Sequence, residues 1–337
     1  MKIEHNHSLQ TYNSFGIDVS SRYFSSFNSL QEVEEIIHHQ KVLAAPLLVL
    51  GGGSNLLFTK DYNGWVIKNG LKGIEVINSD DSFIYVKAMA GENWHSLVMY
   101  CVKNGYAGLE NLSLIPGNVG ASPMQNIGAY GVEIKDVFYE LEAYHITDKK
   151  LIRFNNQDCA FGYRDSIFKR ALKNQYIIIS VTFQLRKEPI YNTSYGAIEK
   201  ELKAMKISTL SIKSISDAVI NIRSSKLPDP KKIGNAGSFF KNPVIPTDQF
   251  ELLKKSFLEL PGFKNEEAMK VPAGWLIEQC GWKGFRKGDA GCYDKQALVL
   301  VNYGKATGAA IFELSATIIQ SVQEKFGITL EREVNII

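Results

Sequence analysis

The sequence predicts an α+β protein that is divided into two or three domains. Its 337 residues are 45% hydrophobic and 22% charged, which is enough apolar material for a sizeable core and excludes a disordered tail or a fibre. A folded chain of this length usually splits into more than one domain. Helical and strand patterns are mixed along both halves of the chain, and glycine-rich segments interrupt them.

Composition and charge exclude several kinds of partner. The 38 basic and 35 acidic side chains leave a formal charge of +3 and are spread along the chain, so we expect no nucleic-acid partner. No apolar run approaches the roughly 18 to 20 residues that span a bilayer. Residues 1–8 also lack the apolar core of a secretory signal. We therefore expect no membrane insertion and a cytoplasmic location.

The cysteines and histidines indicate neither a disulfide framework nor a metal site. The four cysteines are scattered without a CxxC pair, so we expect reduced, mostly structural thiols. The six histidines all lie in the first half of the chain, and none has HxxxH or HExxH spacing. We predict no bound metal.

Periodicity and capping residues place the regular elements. Helices are predicted where apolar residues recur at helical spacing, namely over residues 28–41, 93–103, 197–205, 215–224, 273–280 and 308–326. Strands are predicted where short runs are buried or alternate, namely over residues 45–50, between 65 and 89, and over 142–146, 176–185, 296–302 and 329–337. Asn28 or Ser29 should cap the first helix and a Ser214-x-x-Asp217 pair the fourth, while Gly327 should end the last.

The strand over residues 45–50 leads into a first glycine-rich turn, Gly51-Gly52-Gly53-Ser54-Asn55. Residues without Cβ let backbone N–H groups approach an anion, and the serine and asparagine add side-chain donors, so the turn suits a pyrophosphate. A tight structural turn would use the same glycines. The turn is neither GxGxxG opening a helix nor GxxxxGK[ST], which argues against Rossmann and P-loop folds.

Residues 116–131 (PGNVGASPMQNIGAYG) form the second glycine-rich segment. Its glycines and prolines prevent a regular element, yet it is too apolar for a solvated linker, so we predict a long ordered loop. Gln125, Asn126 and Tyr130 could hydrogen-bond a heterocycle there. Two such segments in one chain favour a large, phosphate-bearing ligand; the alternative for this one is an omega loop packed by its own side chains.

Two further segments carry side chains suited to chemistry. In residues 161–166, Arg164 stands beside aromatic residues, where a guanidinium can bind a carboxylate in bidentate fashion. A structural ion pair between Arg164 and Asp165 is the simpler explanation. In residues 234–243, Ser238 follows a glycine, but the segment is not GxSxG and no histidine follows it, which disfavours a triad hydrolase. Taken alone, Ser238 would cap a turn.

Several segments together carry a family resemblance from about residue 10 onward. They are NSFG at 13–16, VLGGGSNLLF at 49–58, IPGNVGASPMQNIGAYG at 115–131, YRDS at 163–166, KLPDP at 226–230, GNAGSFFKNP at 234–243 and LEREV at 330–334. In this order they resemble the type I UDP-N-acetylenolpyruvoylglucosamine reductase (MurB) family. The 116–131 loop and the GNAGSFFKNP segment are each specific. Gly52 and Arg332 depart from the usual pattern, and neither is expected to touch the chemistry.

The resemblance implies an α+β FAD-binding fold of the p-cresol methylhydroxylase type with a C-terminal substrate domain. The implied FAD-binding subdomains are residues 1–70 plus 327–337 and residues 71–213, and the substrate domain is residues 214–326. The implied FAD contacts are Leu50, Gly51, Gly52, Gly53, Ser54, Asn55, Pro116, Gly117, Gly120, Ala121, Gln125, Asn126, Gly128, Ala129 and Tyr130. Relatives that bind flavin covalently carry a histidine in the first glycine turn, where this chain has serine and asparagine, so the FAD should be non-covalent.

The family's reaction is the reduction of UDP-N-acetylglucosamine enolpyruvate to UDP-N-acetylmuramate, with NADPH as co-substrate, for peptidoglycan synthesis. NADPH and the sugar nucleotide take turns in one pocket, which explains the missing Rossmann fingerprint. The resemblance assigns Ser238 as the acid that protonates the substrate, with Arg164 and Glu333 polarising the enolpyruvyl carboxylate. Hydride addition to the enol ether pushes charge into that carboxylate, which needs preorganised donors, so Glu333 would have to be protonated.

Substrate binding carries over to Tyr195, Lys226, Asn242 and Gln296. Tyr195 matches the tyrosine of the substrate-closing loop of type I members, and Lys226 suits a diphosphate. We expect the enzyme to be monomeric.

Two other functions compete with this interpretation. An FAD-dependent oxidase of the same fold would keep the glycine segments but would have no use for Ser238 and Glu333. A non-catalytic sugar-nucleotide module should have lost one of Arg164, Ser238 and Glu333, and all three are present.

Overall fold

The computed structural model describes residues 1–337 except for the side chain of Lys41, and helices and strands are mixed along the whole chain. The helices are α1 (Leu30–Leu43), α2 (Trp94–Lys103), α3 (Asn156–Cys159), α4 (Gly196–Ala204), α5 (Ile212–Lys226), α6 (Thr247–Ser256), α7 (Ala273–Gln279) and α8 (Gly308–Phe326). The strands are β1 (Glu4–Ser8), β2 (Ser20–Phe27), β3 (Leu47–Leu50), β4 (Leu56–Leu57), β5 (Tyr62–Asn69), β6 (Ile74–Ser79), β7 (Phe83–Met89), β8 (Gly128–Ala129), β9 (Val132–Glu133), β10 (Phe138–His145), β11 (Lys150–Asn155), β12 (Tyr176–Arg186), β13 (Gly234–Ser238), β14 (Val244–Pro246), β15 (Phe263–Asn265), β16 (Ala268–Lys270), β17 (Arg286–Lys287), β18 (Ala290–Cys292), β19 (Val299–Asn302) and β20 (Asn335–Ile336).

The described residues form two compact units. The first contains Met1–His7, Ser21–Gly52 and Asn63–Ser225. The second contains Ser8–Ser20, Gly53–Tyr62 and Lys226–Ile337.

One sheet of the first unit leads the chain into the first glycine turn. Its strand order is β1-β2-β5-β3, and β3 runs parallel to β5. The apolar face of α1 is buried with this sheet, through Val33, Ile36, Ile37, Trp65 and Ile67. The helix begins after Ser29, whose side chain accepts a hydrogen bond from the backbone N–H of Glu32 at 3.2 Å, so the N-cap prediction is confirmed. The helix continues past residue 41 to Leu43.

The second sheet of this unit is antiparallel, with the strand order β11-β10-β12-β7-β6. Its central strand, β12, is rich in β-branched and aromatic residues and is buried over most of its length, which suits pairing on both sides. α2 packs on this sheet and begins after Asn93, whose side chain accepts from the Ser96 N–H at 2.9 Å. β11 was not predicted, since charged residues interrupt its alternation.

A helical pair, α4 and α5, also belongs to the first unit and buries Ile198, Leu202, Ile215, Val219 and Ile222 between its members. The predicted Ser214-x-x-Asp217 cap is wrong. Ser211 and Ser214 instead exchange hydrogen bonds, each backbone N–H donating to the other's hydroxyl at 2.9 and 3.0 Å, so α5 begins at Ile212. Ser211 and Ser214 therefore act as a capping box that begins three residues before the predicted one. Asp217 pairs with Lys213.

The second unit combines two small sheets, of strand orders β13-β19-β18-β17 and β14-β16-β15, with the parallel pair β4 and β20. α8 begins after Thr307 and ends at Gly327, whose φ is 66°, which confirms the predicted stop. The proline- and glycine-rich stretch 226–246 contains β13 and β14. α6, β15 and β16 were not predicted, and only residues 335–336 of the predicted 329–337 strand form one.

Two predictions concern the state of the cysteines and the insertion of a helix into a membrane. Burial raises the pKa of Cys101, Cys159 and Cys292 to about 12, so these thiols are inert and structural, as predicted. Within the part of the chain that the structure describes, we find no helix whose length and hydrophobicity would let it cross a bilayer.

Candidate functional site

Within the first unit, Gly51 and Gly52 of the first glycine turn lie against the 116–131 loop. A Cβ atom on Gly52 would lie 2.7 Å from the Cα of Gly117 and 2.9 Å from Oδ1 of Asn118. Gly117 has a φ of 114°, a conformation that only glycine adopts readily. The segments therefore meet backbone to backbone directly after the buried Leu50 of β3.

The first glycine turn has backbone donors available for a ligand. Among the described residues, no group accepts a hydrogen bond from the N–H of residue 52, 53 or 54. Successive unpaired N–H groups are what a diphosphate requires, and the glycines leave room for it. The turn therefore fits a dinucleotide held non-covalently.

The 116–131 loop is ordered by hydrogen bonds, as predicted. The carbonyl of Gly117 accepts from the Trp94 N–H at 3.0 Å, and the N–H of Gly120 donates to the Ala90 carbonyl at 2.9 Å. The loop is not wholly irregular, because Val119–Ala121 form a 3-10 turn and β8 pairs with β9. The predicted cofactor contacts of the loop therefore lie on one ordered segment. They include Pro116, Ala121, Gln125, Gly128 and Ala129.

Asn126 stabilises this loop from inside. It is fully buried, and its amide donates to Oε2 of Glu133 at 2.9 Å and to the carbonyl of Gly162 at 3.1 Å. Its own Oδ1 accepts from the Lys135 N–H at 3.1 Å. These bonds use both amide hydrogens of Asn126 within the protein, so its side chain orders the loop, and its predicted contact with a heterocycle stays a prediction.

Arg164 is held against the same loop. It occupies the turn closed by Gly162 and Asp165, with a φ of 53° that costs strain in a residue other than glycine. Its Nη2 donates to the carbonyl of Gly128 at 2.7 Å. Asp165 forms an ion pair with Arg170 at 2.9 Å. The guanidinium of Arg164 is therefore fixed at the hairpin of the glycine loop.

Tyr130 joins the loop to the helical pair. Its ring stands edge-on to the ring of Tyr195, with centroids 5.4 Å apart, and Tyr195 is 49% exposed at the start of α4. Burial raises the pKa of Tyr130, so its hydroxyl keeps its proton. Tyr130 packs against the apolar cluster of α4 and α5, and the charge of Arg223 on α5 acts in the opposite direction on its pKa.

Sequence reasoning missed Arg223 and Lys68. Arg223 directly follows Ile222 on the apolar side of α5, and a lone charge at such a position is the signal that could have revealed it. Lys68 ends an otherwise apolar run of β5, and its ammonium donates to the carbonyl of Gly51. Burial, followed by the charge of Lys72, lowers the pKa of Lys68.

In the second unit, the NSFG motif connects the first glycine turn to the strand that carries Ser238. The N–H of Ser14 donates to the carbonyl of Gly53 at 3.0 Å, and its hydroxyl donates to the carbonyl of Asn235 at 2.6 Å. Ser238 ends β13 after Gly237, whose φ is 70°. Within the described residues its hydroxyl has no hydrogen-bond partner, so it does not cap a turn and is available to a ligand.

Glu333 lies beside this strand. Its backbone N–H donates to the carbonyl of Phe239 at 2.9 Å, and its carbonyl accepts from Nδ2 of Asn55 at 3.4 Å. Asn55 in turn accepts from Nδ2 of Asn335 at 2.8 Å. Ser238, Glu333 and the end of the glycine turn are thus brought together within this unit.

The remaining predicted substrate residues also lie in the second unit. Oδ1 of Asn242 accepts from the Ala273 N–H at 2.9 Å and caps α7. Oε1 of Gln296 accepts from the Leu298 N–H at 3.3 Å. The amide NH₂ groups of both side chains donate to no group among the described residues, and Lys226 is exposed at the end of α5. Each therefore has donors to offer a ligand.

Comparison with known proteins gives consistent matches. Residues 229–337 match the model of the UDP-N-acetylenolpyruvoylglucosamine reductase C-terminal domain, and residues 22–154 match an FAD binding domain. The UDP-N-acetylenolpyruvoylglucosamine reductases of Amoebophilus asiaticus and Flavobacterium johnsoniae are 52% and 50% identical to this chain, with full coverage of both chains in each comparison. The crystal structure of the Thermus caldophilus enzyme of that name has a TM-score of 0.70 at 24% identity, covering 100% of this chain and 99% of its own. The last match shows a shared fold.

Proposed function

Because the chain belongs to the UDP-N-acetylenolpyruvoylglucosamine reductase family, we propose that the residues described above carry that family's reaction. The chain is an FAD-dependent oxidoreductase that uses NADPH to reduce UDP-N-acetylglucosamine enolpyruvate to UDP-N-acetylmuramate in peptidoglycan precursor synthesis. One observation supports the residue assignment most directly. The Glu333 to Phe239 hydrogen bond places the backbone of Glu333 next to the residue that follows Ser238.

The two glycine segments are proposed to hold FAD. The N–H groups of residues 52–54 would bind its diphosphate, and the loop from Pro116 to Tyr130 would flank its ring system. Bound FAD supplies the hydride relay between NADPH and the enol ether. The backbone contact between Gly52 and Gly117 supports this proposal, since larger side chains would occupy the space between the segments.

Arg164 is proposed to bind the enolpyruvyl carboxylate. Its guanidinium is always charged and is already oriented by Gly128, so it loses little freedom on binding. Negative charge grows on the carboxylate as hydride reaches the terminal carbon, and a preorganised cation stabilises that charge.

Ser238 and Glu333 are proposed to complete the reduction. The hydroxyl of Ser238, which has no protein partner among the described residues, would give its proton to the neighbouring carbon of the substrate. Glu333 would donate from its protonated carboxyl to the substrate carboxylate. Lys226 and Tyr195 are proposed to bind the diphosphate of the substrate, and the free amide groups of Asn242 and Gln296 to bind other parts of the sugar nucleotide.

We also propose a division of labour among three parts of the chain: residues 1–70 plus 327–337 and residues 71–213 for FAD, and residues 214–326 for substrate. A monomer acting in the cytoplasm is proposed as well. The free, buried thiols fit a reducing compartment. Size-exclusion chromatography with light scattering tests the monomer, and a dimer mass contradicts it.

An anaerobic absorbance experiment tests the function. The purified holoprotein receives one equivalent of NADPH, and then UDP-N-acetylglucosamine enolpyruvate. We expect the flavin band to bleach and then to recover when the enol ether is added. Recovery only on admission of oxygen would support the FAD-dependent oxidase, and a protein that cannot be loaded with FAD would contradict both functions.

A further inference from the structure

Arg223 is a half-buried cation that lacks a carboxylate partner. Its Nε is buried and makes no hydrogen bond, and no carboxylate among the described residues pairs with its guanidinium. The groups that act on it are the phenol of Tyr130 and the like charge of Arg164. A guanidinium that is partly withdrawn from water and has no counter-ion is costly, so its position suits a bound anion.

The side of α5 that carries Arg223 contacts the segment that leads into the glycine loop. Ser216 precedes Arg223 by seven residues and lies on the same side of α5. The hydroxyl oxygen of Ser216 is 2.8 Å from that of Ser113, in the segment that leads into the glycine loop. At the next residue, the N–H of Leu114 donates to Nδ1 of His95 at 3.0 Å. Burial, followed by the charge of Arg223, lowers the pKa of this histidine, so the neighbour of Arg223 stays neutral.

Arg164 is held at the hairpin of the glycine loop, and the helical pair that carries Arg223 packs against Tyr130 of the same hairpin. Arg164 donates to the carbonyl of Gly128, and the charge of Arg223 interacts with the phenol of Tyr130, two residues further along. Burial is the main cause that lowers the pKa of Arg223, and the charge of Arg164 acts in the same direction. Two guanidinium groups in mutual repulsion are stabilised when one anion binds both.

We infer that Arg223, together with Arg164, binds the enolpyruvyl carboxylate of the substrate. This inference rests on the proposed function and extends it to a residue on another element. A carboxylate has lone pairs for two forked donors, so both arginines can bind it at once. The second cation also faces the charge that grows on the carboxylate during hydride addition. The diphosphate of the substrate is the other anion that Arg223 could bind. The two anions can be told apart, because ligands without the enolpyruvyl carboxylate, such as NADPH, also carry a diphosphate.

A binding experiment separates these anions. Dissociation constants of UDP-N-acetylglucosamine enolpyruvate and of UDP-N-acetylglucosamine, which lacks the carboxylate, are measured from the change in flavin absorbance of the oxidised holoenzyme. For Arg223→Met we expect the enol ether to bind roughly 10- to 100-fold more weakly, as for a lost charge-assisted hydrogen bond, and the second ligand to bind as to the wild type. Arg22→Met, at an exposed arginine of β2, is the control and should change neither constant.

Two results overturn the inference. Equal weakening of both ligands assigns Arg223 to the diphosphate, and unchanged constants for both assign it to the structure of the free protein. Thermal unfolding of the holoenzyme adds a second readout, because removal of a half-buried charge without a counter-ion should leave Tm equal or higher, whereas a structural role lowers it.

If the Arg223→Met variant does not retain FAD, the same binding experiment is made with Arg223→Lys. It keeps the charge but loses the fork, so it should still weaken the enol ether selectively. The proposed function is tested separately by the wild type. If the wild-type flavin is not reoxidised by the enol ether, that function fails, while the comparison of the two ligands still decides the role of Arg223.

Discussion

Glu333 donates its backbone N–H to the carbonyl oxygen of Phe239 across 2.9 Å. Phe239 directly follows Ser238, and almost a hundred residues separate it from Glu333 in the sequence. The carbonyl of Glu333 also accepts from Asn55 at 3.4 Å. Within the second unit, the backbone of Glu333 therefore fixes the end of the first glycine turn relative to the strand that carries Ser238.

Ser238→Ala should separate the two half-reactions. Because the hydroxyl has no partner among the described residues, its loss should not disturb the fold, and reduction of the flavin by NADPH should stay intact. Reduction of the substrate should slow by roughly 100- to 10,000-fold, as for a lost general acid. Stopped-flow absorbance measures both steps, with Ser256→Ala, at the exposed end of α6, as the control. Equal loss in both steps would refute the role.

Tyr195→Phe should weaken substrate binding more than it slows the chemical step. The phenylalanine ring keeps its edge-on contact with Tyr130, so only the hydroxyl is lost. We expect the apparent binding constant of the sugar nucleotide to rise roughly tenfold, in line with one lost hydrogen bond to a charged group. Steady-state kinetics give kcat and KM separately. Tyr139→Phe, at another exposed tyrosine, is the control, and an unchanged constant for Tyr195→Phe would count against the loop assignment.

Lys68→Met should lower the affinity for FAD. The ammonium of Lys68 donates to the carbonyl of Gly51, and methionine keeps the apolar stem without the charge. We expect the dissociation constant for FAD to rise roughly 10- to 100-fold. Fluorescence quenching of added FAD by the apoprotein measures it. Lys60→Met, at an exposed lysine, should bind like the wild type, and equal affinities of all three proteins would show that Lys68 does not support the turn.

The stability of the fold should fall as the pH falls through the range in which His95 takes up a proton. Burial, and then Arg223, lowers the pKa of His95 in the folded chain, so the unfolded chain binds the proton more readily. The stabilisation is therefore complete above the ordinary histidine pKa of about 6.5 and is lost as the pH falls through the lower, folded value.

Urea unfolding between about pH 8 and about pH 5 measures this contribution. His95→Asn keeps an acceptor for the Leu114 N–H and removes the titration, so its unfolding free energy should depend less on pH than that of the wild type. His5→Asn, at an exposed histidine, should follow the wild type. Parallel curves for His95→Asn and the wild type would contradict the prediction.

Much of the fold follows from local signals in the sequence. The predicted α+β FAD-binding fold of the p-cresol methylhydroxylase type with a C-terminal substrate domain is confirmed. Ser29 caps its helix as predicted, because a capping side chain acts within three residues of itself, and Asn93 caps the helix predicted over residues 93–103 in the same way. The cap at Ser214 failed for a reason equally local, since Ser211 offers a competing partner.

The site was less accessible to sequence reasoning, since its supporting contacts are long-range. Asn126 looks like a ligand-binding amide until its partners Glu133 and Gly162 come into contact with it. Arg223 reads as an ordinary helix residue until Tyr130 is placed beside it. These contacts depend on how distant segments pack, which periodicity and capping do not encode.

The parallel pairing of β20 with β4 has a consequence for how the chain is made. Asn335 hydrogen-bonds Asn55 across 280 positions of sequence, and the N–H of Ile337 donates to the carbonyl of Leu57 at 2.9 Å. On a translating ribosome, the strand that follows the first glycine turn must wait, unpaired, until residues 335–336 have been synthesised. Contacts of such separation close slowly and leave a strand edge open to wrong partners in the meantime. Nascent chains stalled before residue 335 should therefore be protease-sensitive around Leu56–Leu57 even where the sheets of the first unit have already formed.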